Sequence, residues 1–146
     1  MSRPATPWKL LIEQAQVAVD QATEALAAAQ RRVLDADRQR DALTSYRGEY
    51  LAQLAHSSAG GLAIAALANQ HRFLDKLDRA LVQQGETCER AAHQLAEAQS
   101  VWREAQRKLK SYDTLASRQQ QQHAAEQARR EQLATDERAT QAFVAR

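Results

Sequence analysis

Coordinating a metal from a helix needs two ligands three or four residues apart, so that both side chains leave the same face. His56, His71, His93 and His123 show no such spacing with one another or with Cys88, so no metal site is expected. Gly60-Gly61 offers a flexible backbone, but the other glycines, the lysine and the hydroxyl of a phosphate loop are missing, and no strand precedes it. ATP binding by this chain alone is therefore not expected. Asp35, Asp37 and Asp41 alternate with Arg38 and Arg40, a pattern that ion pairing on a solvated helix explains without catalysis. No nucleophile, acid or base has the neighbours it would need, so the expected class is non-enzymatic, with no cofactor.

The elements that carry these residues are long and thin. The chain has 146 residues, and its 44% apolar content is largely alanine, with only 5% aromatics, which leaves no material for a thick core. Pro4 and Pro7 both precede the first periodic segment, so no proline interrupts the chain from Trp8 onward. A net charge of +2 gives no long-range field for nucleic acid, despite a pI of about 8.9. The single Cys88 excludes an internal disulfide and fits a reducing compartment. With no bilayer-length apolar run and no secretory signal at the first residues, a cytoplasmic location is expected.

Thr6-Pro7-Trp8 reads as a helix start, the Thr6 hydroxyl capping and Pro7 in the first helical position. Taking Ile12 as heptad position a places Ile12, Val19, Leu26, Val33, Arg40, Arg47 and Leu54 on one line, and Ala15, Ala22, Ala29, Ala36, Leu43 and Tyr50 at position d. Alanine at d alternating with larger residues at a allows a close partner helix. The period stops at His56-Ser57-Ser58-Ala59-Gly60-Gly61, and the alanine-rich stretch Leu62 to Ala68 has room for about two helical turns before Asn69. It resumes with Leu74, Leu81, Cys88, Leu95, Trp102, Leu109 and Ala116 at a, and Leu77, Gln84, Ala91, Ala98, Ala105 and Tyr112 at d.

The expected fold is therefore all-α: a long antiparallel two-helix coiled coil, or helical hairpin, forming a single domain over 1–146. Helix 1 is expected over about 7–55, a turn with a short helical or loop insertion over 56–70, and helix 2 over about 71–140. In this arrangement Leu54 lies near Leu74 and Ile12 near Ala116, in a rod roughly 70 Å long at about 1.5 Å per residue. Beyond about residue 117 the seam positions turn polar (Gln119, His123, Glu126, Arg130, with Leu133 the exception), predicting an unpaired, overhanging C-terminal helix.

One stripe lies partly off the seam. Gln39, Leu43, Tyr46 and Tyr50 are spaced by four, three and four residues, and Phe73, Leu77, Ala80 and Gln84 repeat that spacing in the second helix. The g edges of an antiparallel pair face each other, so the two runs should merge near the turn. An exposed apolar platform and a local piece of core both fit this pattern. Near the open end, Arg3, Lys9, Arg103, Arg107, Lys108, Lys110 and Arg118 gather basic charge, relieved by Glu13, Glu104 and Asp113, as a solvated face or a recognition surface.

Over nearly its full length the chain resembles the FliJ family. The resemblance rests on Leu43-x-x-Tyr46-x-x-Glu49-Tyr50, on Phe73-x-x-x-Leu77-x-x-Ala80-Leu81-x-x-Gln84, on Trp102-Arg103-Glu104 with Leu109, Leu115 and Arg118, and on Asp136-Glu137, taken in order and spacing. It implies a cytoplasmic stalk and general chaperone or escort of the flagellar type III export apparatus, at the cytoplasmic face of the inner membrane. Such a stalk enters the hexameric export ATPase, FliI, promotes its assembly and activity, and links it to the membrane export gate, FlhA; export chaperones are further partners. The gate-binding residues it implies are Gln39, Leu43, Tyr46, Tyr50, Phe73, Leu77, Ala80 and Gln84, although histidine often stands in the family at the place of Gln84. Arg138 likewise departs from the aromatic or apolar residue common there. Lys9, Arg107, Lys110 and Arg118 are the candidates for ATPase contact.

Two alternatives keep the fold: the equivalent stalk of a non-flagellar injectisome, separable by genomic neighbourhood or motility, and a generic coiled-coil scaffold, which would be an obligate dimer with a seam through residues 117–146. A membrane-surface helix would need a strongly basic face opposite a bulky apolar one, which the polar segments lack.

Overall fold

The computed structural model describes residues 7–61 and 63–145; the Thr6 cap, Arg3 and Leu62 lie outside this range. It contains two helices, α1 (Pro7–Ala59, 53 residues) and α2 (Ile64–Val144, 81 residues), and no strand among the described residues. Pro7 opens α1, where its fixed φ suits the helix and its missing N–H has no partner to lose. The N–H of Gly60 donates to the carbonyl of Ser57 at 3.1 Å and that of Gly61 to Ser58 at 3.3 Å, which tightens the end of the helix. Gly61 then takes φ 80°, the left-handed conformation that ends many helices and that a Cβ disfavours.

The helix limits differ from those expected. α1 continues through His56-Ser57-Ser58 to Ala59, and Ile64–Asn69 form the opening turns of α2 rather than a separate short helix. Serine at a helix end costs little, and the alanines of 63–68 are the strongest helix formers, so one left-handed glycine suffices to reverse the chain. The helical pattern therefore needs no second break at Asn69.

Although the sequence reads as one domain, the described chain groups into two compact units. The first joins the start of α1, through Asp20, with α2 from Arg103 onward. There Ala15 and Val19 are buried, and the Trp8 and Tyr112 rings meet at 6.3 Å. Every described residue from Ser117 to Ala145 is exposed. The second unit, Gln21–Trp102, is an antiparallel hairpin whose buried residues are Ala22, Ala29, Ala36, Leu77 and Ala91.

Burial follows the heptad reading closely. Apart from Arg40, every a and d position from Ile12 to Leu54 and from Leu74 to Ala116 is buried or half-buried. The pairing between the helices is shifted, however. Tyr50 meets Phe73 at a ring distance of 4.8 Å, and Gln84 reaches the Ala36 carbonyl. At both places the α2 partner comes earlier in the chain than Leu54 beside Leu74 would require, but Arg47–Asp78, Arg32–Gln94 and Trp102–Thr23 put the offset at roughly one turn or less, and Ile12 and Ala116 border one groove as expected. Burial along each helix repeats every seven residues in either register, so the burial pattern alone does not distinguish them.

Candidate functional site: an aromatic platform on the hairpin

Tyr46 and Tyr50 stand four residues apart on α1 and so share a face, while Phe73 enters from α2. The Phe73 ring sits edge-on to Tyr46 at 6.2 Å and interplanar 82°, and tilted against Tyr50 at 4.8 Å and 56°. The edge-on Tyr46–Phe73 pair sets a positive ring edge towards a negative ring face, and an aromatic pair of this kind contributes about 0.5–1.5 kcal/mol beyond simple burial. The cluster is not sealed: Tyr46 remains 49% exposed and Phe73 37%, while Tyr50 is half-buried beneath them. The g edges thus merge on one side of the hairpin, and the merged surface is open to solvent.

The other stripe residues play different parts. Leu77 is buried at 7% exposure and belongs to the core beneath the rings, and Leu43 and Ala80 are half-buried. Gln84 turns inward, its Nε2 donating to the backbone carbonyl of Ala36 at 2.9 Å. Gln39 is exposed and borders an open groove of about 290 Å³ with Arg32, Asp35, Thr87 and Arg90. The eight residues therefore resolve into an exposed aromatic pair, a supporting layer and an inward-bonded glutamine.

Spacing did not single out Arg47, Asp78 and Gln70. Arg47 occupies a seam position, where its Nε donates to Asp78 Oδ1 at 2.6 Å across the hairpin. The Tyr50 hydroxyl donates to the Gln70 carbonyl at 3.4 Å, and Gln70 Oε1 is buried with no hydrogen-bond partner among the described residues. The available signal was Arg47 itself, which with Arg40 is one of two charges in an otherwise apolar line. Arg40, also at a, stays on its own helix with Asp37 at 3.5 Å and Asp41 at 3.9 Å.

Within the first unit, Lys9, Arg107, Lys110 and Arg118 are all exposed and none joins an ion pair among the described residues. Lys9 also borders an open groove of about 940 Å³, lined by Trp8, Ile12, Ala116 and His123 among others. Among the described residues no group of three or more His, Cys, Asp or Glu could hold a metal ion, and no helix is long and apolar enough to cross a membrane.

Residues 6–146 match the family model described as flagellar FliJ protein. No curated protein matches the chain. Among solved structures, a protein designated a YscO homolog, CT670 from Chlamydia trachomatis, superposes with a TM-score of 0.68 over 96% of this chain and 94% of that one, at 16% identity. At that identity the likeness is one of fold.

Proposed function

Since the chain belongs to the FliJ family of the type III flagellar export apparatus, we propose that it is a stalk that binds the export ATPase ring, FliI, promotes its assembly and activity, and links it to the export gate, FlhA. It does no chemistry of its own. The observation that carries this reading is the exposed Tyr46–Phe73 pair: two large rings from different helices, held against each other yet open to solvent, as at protein-binding hot spots. The gate contacts it by Tyr46, Phe73 and Tyr50, with Gln39 at the margin, while Leu43, Leu77, Ala80 and Gln84 hold the rings in place.

The ATPase contacts the first unit, where Lys9, Arg107, Lys110 and Arg118 are exposed and join no ion pair among the described residues. The stalk works on the cytoplasmic side of the inner membrane, reaches the membrane only through the gate, and escorts export chaperones. Replacing Tyr46→Ala together with Phe73→Ala should weaken gate binding at least about tenfold, a loss of about 1.4 kcal/mol, with helicity retained. Unchanged gate binding and motility in that variant would remove the platform assignment. A purified chain that neither promotes ATPase oligomerisation nor raises ATP hydrolysis would remove the stalk.

A further inference from the structure

The platform exists only in one register of the hairpin, because Tyr46 and Tyr50 come from α1 and Phe73 from α2. The apolar seam does little to select that register. The contacts of Arg32 with Gln94 and of Trp102 with Thr23 put Ala36 near Cys88 and Ala29 near Leu95, so each of these buried alanines of α1 faces a larger, half-buried residue of α2. A slip of one heptad would put Ala36 near Leu95 and Ala29 near Trp102, again setting an alanine against a larger residue. The same slip would set Phe73 beside Gln53 and Ser57, and the composite surface would be gone.

One polar contact behaves differently. In the observed register Arg47 meets Asp78, with both side chains roughly a third to a half exposed. Slipped one way, Arg47 would stand opposite Gly85; slipped the other, opposite His71. Neither offers a carboxylate. Gln84 would stand level with Leu43 or Ala29, whose backbone carbonyls could accept from it as that of Ala36 does, so its bond does not select the register. Left-handed Gly61 marks where the chain reverses, but two adjacent glycines make a flexible joint that does not stiffen the helices beyond it.

We infer that Arg47 and Asp78 are positioning residues: they key the register of an otherwise degenerate alanine seam, so that the aromatic platform is assembled from the two helices. Their contribution is to specificity rather than to stability, as for single polar groups in coiled-coil cores. Its bearing on the export gate rests on the function proposed above; the register itself does not.

The chain has two phenylalanines, Phe73 in the cluster and Phe143 at 81% exposure, so 4-fluorophenylalanine labelling of the full chain reports the platform through one resolved ¹⁹F line. Wild type and Arg40→Met, whose arginine is paired only on its own helix, should each give a single Phe73 line. The double variant Arg47→Met with Asp78→Leu should keep its helicity yet show a second Phe73 line of at least about a tenth of the intensity. The charge swap Arg47→Asp with Asp78→Arg should restore one line, which a purely packing role would not do. Should the apolar double variant fail to fold, Arg47→Ala with Asp78→Ala is read in the same way and should also give two lines. A single unshifted line in the folded apolar variant, or in the double-alanine variant where it stands in, overturns the proposal, as does a folded charge swap that stays heterogeneous. A restored single line without gate binding would leave the register key standing and count against the platform.

Discussion

Ala29, only 2% exposed, shows what this core is made of. The helices of the hairpin approach closely because the enclosed side chain is a methyl group, and no larger residue among those described is fully enclosed. Ala29→Leu should therefore destabilise the chain, by about 1–3 kcal/mol in urea unfolding, because the added carbons have no void to fill. The aromatic residues differ from one another at this scale. Phe73 touches two rings and Tyr46 one, so Phe73→Ala should cost roughly 1–2 kcal/mol and Tyr46→Ala under about 1 kcal/mol, measured by the same unfolding curves. Tyr46→Ala is thus the variant that separates recognition from stability. Arg47 reads in the sequence as an interruption of the seam, but its partner was not legible, because Asp78 is one of several carboxylates on α2 and only the register selects it.

At the scale of the elements, the heptad pattern located both helices and nearly every half-buried position, since a period near 3.5 follows directly from helix geometry. The register and the turn were less legible. Position d of α1 is alanine from Ala15 through Ala36, so a seven-residue shift leaves the pattern unchanged, and serine beside glycine resembles a loop even where α1 continues to Ala59. The stripe was legible as a spacing but not as a surface: the same period contains buried Leu77 and inward-bonded Gln84 alongside exposed Tyr46. For the turn, Gly61→Ala should cost about 1–2 kcal/mol in urea unfolding although open space surrounds the site, because the penalty comes from the left-handed backbone. A neutral result there would mean that the connection relaxes to another conformation.

For the whole molecule, the tail of α2 contributes helix without core. Residues Ser117 to Ala145 are exposed throughout, so ending the chain after Ala116 should remove helical signal and the gradual low-urea slope of an isolated helix, while the midpoint of the main transition stays in place. A lowered midpoint would show that the tail supports the packed helices. The two units carry the two proposed surfaces, basic residues in one and the aromatic platform in the other, and the function proposed for the chain is to join their partners. The direct test is co-purification of the ATPase with the cytoplasmic part of the export gate, with and without this chain. The expected result is that the chain brings the two together and that Tyr46→Ala with Phe73→Ala releases the gate while retaining the ATPase. ATPase and gate associating to the same extent whether or not the chain is present would contradict it.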